Sequence, residues 1–158
     1  MALKGHRHEI VTTMRYFMNE VAEEGGIATL STAGSGANMD QSANLATYAA
    51  SPSGKVPLGI VMLPMVNKDL SRQILNPYKL EVQKGGKMLL LQQGFVTTNM
   101  IYPGQSPNGG DKAYVANSGY MTNVGPNLTN AGRYIGEFTT SKDEDGYAVV
   151  TVNLPNNG

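Results

Sequence analysis

Histidines 6 and 8 are the chain's only imidazoles. Two residues apart, they would share one face of a strand and could supply two ligands of a metal site. The sequence holds no third His and no cysteine. The zinc set therefore stays incomplete, and disulfides and thiolate nucleophiles are excluded. The plain reading of His6 and His8 is a solvated terminal segment. Asp143-Glu144-Asp145-Gly146 resembles part of a calcium loop, but that loop needs spaced ligands and a distant Glu. Asp-Gly is a common turn signal, so an acidic hairpin turn is expected. Ser31, Ser71 and Gly34-Ser35-Gly36 lack a nearby imidazole base in the sequence and do not form the five-residue nucleophile elbow. Lys84-Gly85-Gly86-Lys87 lacks the phosphate-loop pattern. Glu23 with Glu24, or Glu137 with Asp143, could form a glycosidase carboxylate pair, a mechanism that depends on their separation. No cofactor site and no catalytic set emerges, and the chain is expected not to be an enzyme.

Whatever these groups do, a β scaffold must position them. The 158 residues suit one domain with a sizeable core. Nineteen glycines among many Asn, Ser and Thr residues indicate frequent turns, which favours a mainly β class. Lys plus Arg number 12 and Asp plus Glu also 12. That balance argues against nucleic-acid binding, which needs a basic excess. Charged residues are 15% of the chain, and a near-neutral, low-charge surface tends to associate. There is no signal-peptide apolar core at the start and no apolar run of about 18 residues, so neither secretion nor a membrane helix is expected.

The densest strand signal is Lys84–Asn99, KGGKMLLLQQGFVTTN. Two strand-like runs flank Gly94, which suits a bend in a small barrel or sandwich. Residues 1–9 read as an extended arm. Ile10, Val11, Met14, Phe17, Met18 and Val21 fall at helical spacing, so a short helix is preferred over residues 10–24, ending at Gly25-Gly26; the competing reading is an extended arm, because Val11-Thr12-Thr13 is β-branched. That stripe could pack on the chain's own core or on a neighbour. Ile27–Thr32 reads as a strand. Residues 33–55 form a long loop of small residues with a weak helical patch at Asn44–Ala50. Further strands are expected at Val56–Leu63, Leu80–Gln83, Ala113–Val115, Tyr120–Thr122, Tyr134–Thr140 and Tyr147–Leu154, with a turn at Asn117–Gly119. The expected organisation is an arm and helix over 1–25, one antiparallel β domain over 26–154 with a barrel-like core in 84–154, and a tail over 155–158.

A family resemblance runs along residues 10–154. It is carried by Arg15-Tyr16-Phe17-Met18-Asn19-Glu20-Val21-Ala22-Glu23 before Gly25-Gly26, then Gly34-Ser35-Gly36-Ala37 and Pro57-Leu58-Gly59. It continues with Asn67-Lys68-Asp69-Leu70-Ser71-Arg72-Gln73 and Glu81-Val82-Gln83-Lys84-Gly85-Gly86-Lys87. It closes with Gly110-Asp111-Lys112-Ala113-Tyr114 and Lys142-Asp143-Glu144-Asp145-Gly146-Tyr147. In this order the chain resembles head decoration, or cement, proteins of tailed bacteriophages, including cyanobacterial and marine phages. The resemblance implies a non-enzymatic virion protein, made in the host cytoplasm and bound to the outer capsid surface. It implies a homotrimer that bridges major capsid protein subunits and stabilises the expanded head, with no membrane or nucleic-acid partner. Partner contacts are then expected from the first segment (Arg7, His8, Arg15, Tyr16, Phe17) and the long loop (Met39, Asp40, Tyr48). Asn108 and Asn127 are expected to face solvent at loop tips. A carbohydrate- or receptor-binding β module of a phage tail or surface structure is the alternative, although 8 Tyr, 3 Phe and no Trp make a sparse sugar platform.

Overall fold

The computed structural model describes residues 3–30, 44–48, 55–66, 81–82, 87–124 and 132–154. Twelve strands follow one another among these residues. They are β1 (Leu3–Thr13), β2 (Tyr16–Met18), β3 (Ala22–Glu23), β4 (Ile27–Leu30), β5 (Asn44–Thr47) and β6 (Pro57–Val66). Then come β7 (Glu81–Val82), β8 (Lys87–Thr98), β9 (Lys112–Val115), β10 (Met121–Thr122), β11 (Tyr134–Phe138) and β12 (Ala148–Asn153). The protein is mainly β, with a closed five-stranded barrel and further strands outside it.

The barrel runs β8-β2-β5-β4-β6 and closes from β6 back onto β8. Every neighbouring pair in this ring is antiparallel except β2 and β5. Closure demands such an exception: strand direction cannot alternate all the way around an odd-numbered ring. The outer sheet leaves the barrel at β8 and continues through β12, β11, β9 and β10, while β1 pairs with the opposite edge of β8.

β8 belongs to both halves. Leu89, Leu90 and Leu91 pair with β6, whereas Gln93 to Thr98 pair with β12. The partner change falls at Gln92, between Leu91 and Gln93. Gly94, two residues on, has φ of 137°. A Cβ there would lie 2.0 Å from the His8 carbonyl oxygen, so only glycine lets β1 approach. The glycine expected at a corner thus marks the close approach of β1 within one continuous strand.

Two apolar clusters fill the molecule. Met18, Ala28, Ala46, Val61, Met88 and Leu90 pack together with Tyr48 and Leu58 on the barrel side. Ile27, Ile60, Met62 and Leu91 face the other way, into a larger cluster with Val96, Val115, Ile135, Phe138 and Val150. Successive residues of a strand point to opposite faces. Strands β4, β6 and β8 are therefore buried on both sides, which accounts for the unbroken apolar runs IAT, GIVM and MLLL.

Four expectations require correction. Residues 10–24 contain no helix: they hold the end of β1, then β2 and β3. Of the proposed helical stripe only Met18 is fully buried, while Ile10, Val11, Met14 and Val21 are exposed. The run Ile10-Val11-Thr12-Thr13 is β-branched, and the edge of β8 offers it a continuous backbone partner, so tertiary pairing overrides the helical spacing. The N-terminal segment is accordingly a paired strand rather than a free arm: Leu3 is buried and lies opposite Thr98. Within the helical patch expected at Asn44–Ala50, Asn44–Thr47 is instead strand β5, held between β2 and β4, and residues 49–50 lie outside the described residues. Finally, the closed barrel draws four of its five strands from residues 16–66, and residues 84–154 supply β8 and the outer sheet.

Candidate functional site

Strand β1 carries His6, Arg7 and His8 of the residues singled out in the sequence, and the structure sorts them by face. His6 and His8 flank Phe95 of β8, with ring centroids 5.1 Å and 6.1 Å from it. His6 Nδ1 lies 3.1 Å from Thr97 Oγ1, and that hydroxyl donates to the His6 carbonyl at 2.9 Å. The two imidazoles do share one face, as the spacing requires, and there they line Phe95. Among the described residues no three His, Asp or Glu side chains converge as a metal cluster would.

Arg7 and Glu9 alternate with the histidines. Arg7 Nε meets Glu9 Oε1 at 3.2 Å, with both side chains about one third exposed. Ile10, Val11 and Met14 follow, exposed at 64%, 38% and 47%. Ile10 and Val11 thus lie uncovered next to an ion pair on a strand with one partner among the described residues, and Met14 follows just past its end. Arg15 is exposed beside it, while Tyr16 and Phe17 are half-buried. Tyr16 packs on the barrel cluster, and Lys87 Nζ lies over the Phe17 ring at 5.6 Å.

Tyr48, expected at a partner surface, is committed to the interior. It is 8% exposed, with its ring against Gly26 and Gly119. Its hydroxyl donates to the Glu23 carbonyl, and its backbone N–H donates to Glu20 Oε1, which also accepts from Thr47 Oγ1 at 2.7 Å. Burial, aided by the charges of Glu23 and Glu20, pushes the phenol well above its usual range. The position that looked like loop packs in the barrel-side cluster, and the missing Cβ of Gly119 makes room for its ring, which such an atom would meet at 2.8 Å. Met39 and Asp40 lie outside the described residues, as do Ser31, Ser35, Ser71 and Asn127.

The acidic groups are spread apart in role. Asp143 Oδ1 accepts the N–H groups of Asp145 at 3.0 Å and Tyr147 at 2.8 Å, which makes residues 143–147 a side-chain-stabilised turn. Glu137 is exposed, in register with Thr151 on one side and Lys112 on the other. Glu24 is half-buried; desolvation raises its carboxyl above the usual range, against the pull of Arg7. Asp111 is held below the usual range by the Asn108 N–H and the Asn123 side-chain amide, both at 2.9 Å from its Oδ2. Asn108 itself is exposed in the loop before β9.

Register extends the β1 surface across the outer sheet. His8 lies opposite Phe95, Phe95 opposite Thr151, Thr151 opposite Glu137 and Glu137 opposite Lys112. One row thus crosses five strands on the side away from the core. Beside it Tyr114 and Tyr134 pair edge to face at 6.0 Å, half-buried, with Lys112 Nζ 5.8 Å from the Tyr134 ring. Sequence spacing could not reveal this row, because its members are scattered from residue 8 to residue 151 and meet only through strand pairing.

No protein-family model matches the chain, and no curated protein matches it. The functional reading therefore rests on the residues and on this surface.

Proposed function

We propose that the protein is a virion structural protein that binds the outer surface of a phage capsid. There it would stabilise the expanded head by bridging major capsid protein subunits, as a homotrimer. The observation that carries this reading is the order of turn and strand signatures over residues 10–154, which resembles head decoration proteins. The uncovered Ile10 and Val11 on β1, with Met14 just past its end, support it, since apolar side chains left in solvent at a sheet edge suit a surface that is covered in an assembly. Bridging makes modest contacts effective, because the second contact of a bound molecule forms at high local concentration. A site present only on the expanded shell stabilises that shell by mass action.

The test uses purified protein and expanded, undecorated heads. The expected result is saturable binding and a higher head-rupture temperature. Absence of binding to such heads refutes the proposal. A specific observation favours a second reading, a carbohydrate- or receptor-binding module. Phe95 with its flanking histidines and the Tyr114–Tyr134 pair put aromatic rings on the outer sheet. Glycan binding without head binding would select that reading.

A further inference from the structure

The free edge of β1 is complementary to itself. We infer that two copies of this chain pair antiparallel through β1, in the single register that sets Arg7 of each copy opposite Glu9 of the other. This goes beyond the proposed function and does not depend on it.

Among the described residues β1 has one strand neighbour, β8, so its other edge presents unpaired backbone groups. Residues 7, 8 and 9 keep regular register with Val96, Phe95 and Gly94, between irregularities on either side. The His8 carbonyl is turned to β8 at Gly94. Backbone groups of a strand alternate in direction, so those of Arg7 and Glu9 are directed at the unpaired edge. Two such edges can exchange hydrogen bonds only when odd positions face odd positions.

Charge then selects among the registers. Centring the pair on Arg7 places two guanidinium groups face to face, and centring it on Glu9 does the same with two carboxylates. Like charges directly opposite are unfavourable. Centring it on His8 sets Arg7 against Glu9 twice. Because Arg7 already meets Glu9 within one chain at 3.2 Å, the result is a ring of four alternating charges. The same register brings the segment around Ile10 and Val11, 64% and 38% exposed in the single chain, towards the segment around Gly5 and His6 of the second copy, past the irregularities that bound residues 7–9. A second copy is the occupant this edge fits, since the two signs of charge find their counterparts within β1. The pairing has two-fold symmetry, so it cannot itself build a three-fold assembly. If trimers form through another surface, it joins one trimer to the next.

The test exploits charge reversal in the full chain. By sedimentation velocity, wild-type protein is expected to have twice the mass of Arg7→Glu or Glu9→Arg at the same concentration. Each single variant should associate about tenfold more weakly, as like charges replace opposite ones across the pair. Mixed in equal amounts, the two variants should regain the wild-type mass. The two carboxylates that one variant carries at positions 7 and 9 would then face the two guanidinium groups of the other. The intrachain ion pair stays broken in both, so this recovery reports only the contact between chains. The double variant R7E/E9R should associate with itself. Circular dichroism establishes that each variant is folded. Equal masses for wild type and both single variants, or a mixture that fails to regain mass, would overturn the pairing.

Discussion

Replacing Gly94 by alanine asks whether β1 and β8 depend on one residue's missing side chain. The backbone there has φ of 137°, a region that residues with a Cβ rarely adopt. Forcing alanine into it costs about 1–3 kcal/mol. The new methyl group would also lie 2.0 Å from the His8 carbonyl oxygen and 3.1 Å from its carbon. No side-chain rotation relieves a clash with backbone, so β1 must move off β8 around residues 7–9. Giving up two of those backbone hydrogen bonds costs about 1 kcal/mol each. The sum is about 3–5 kcal/mol, which for a chain of this size lowers the melting temperature by about 10 °C. Urea unfolding gives the free energy, and amide exchange locates it: protection should fall first along Leu3–Thr13. Gly5→Ala is the control, since nothing lies within 4 Å of its Cβ position, and it should stay within about 0.5 kcal/mol of wild type. A Gly94→Ala protein within about 1 kcal/mol of wild type, with β1 protected, would refute the account of Gly94 as the residue that lets β1 approach β8.

Two further outcomes follow from the interior and from the loop before β9. Tyr48→Phe keeps the ring against Gly26 and Gly119 but removes the hydroxyl that donates to the Glu23 carbonyl. It should cost about 1–2 kcal/mol in urea unfolding, and no loss would mean that the hydroxyl contributes nothing. Asp111 has its folded-state pKa lowered by the Asn108 N–H and the Asn123 amide. Its stabilising contribution is therefore present above the unfolded-state value and disappears as pH falls through the lower folded value. In an NMR titration the Asn108 amide should shift with a midpoint below the usual aspartate value of about 3.9, and a midpoint at or above it would contradict the assignment.

Strand positions were legible in the sequence wherever burial is two-sided or alternating. Ile27–Leu30, Pro57–Val66, Lys87–Thr98 and Ala148–Asn153 match apolar runs or alternation that no other element explains. The N-terminal segment was not legible, because its apolar residues are not core residues. Ile10, Val11, Met14 and Val21 happen to fall at helical spacing, yet they are exposed, so their periodicity carries no information about packing. Strand β5 was hidden for a related reason. Asn44-Leu45-Ala46-Thr47 has little β-propensity of its own and is held by β2 on one side and β4 on the other. The site divides in the same way. The shared face of His6 and His8 follows from a two-residue spacing, whereas their contact with Phe95 depends on a pairing across 87 residues or more. Tyr48 looked like part of a surface loop because the two glycines that receive its ring, Gly26 and Gly119, are distant in sequence.

The position of β1 has a physical logic that links the fold to its exposed surface. Both edges of β8 are occupied, by β6 and then β12 on one side and by β1 and then β2 on the other. Without β1, the apolar strand MLLLQQGFVTT would present an open edge, a ready template for uncontrolled pairing. With β1 in place, the open edge belongs instead to a strand carrying Lys4, Arg7 and Glu9 and interrupted by irregular register. Charge and bulges normally blunt an edge against any strand that approaches. Here the two signs of charge sit two residues apart, so they repel most registers while leaving one self-complementary. The same residues that protect the sheet from general aggregation thereby specify a single mode of association.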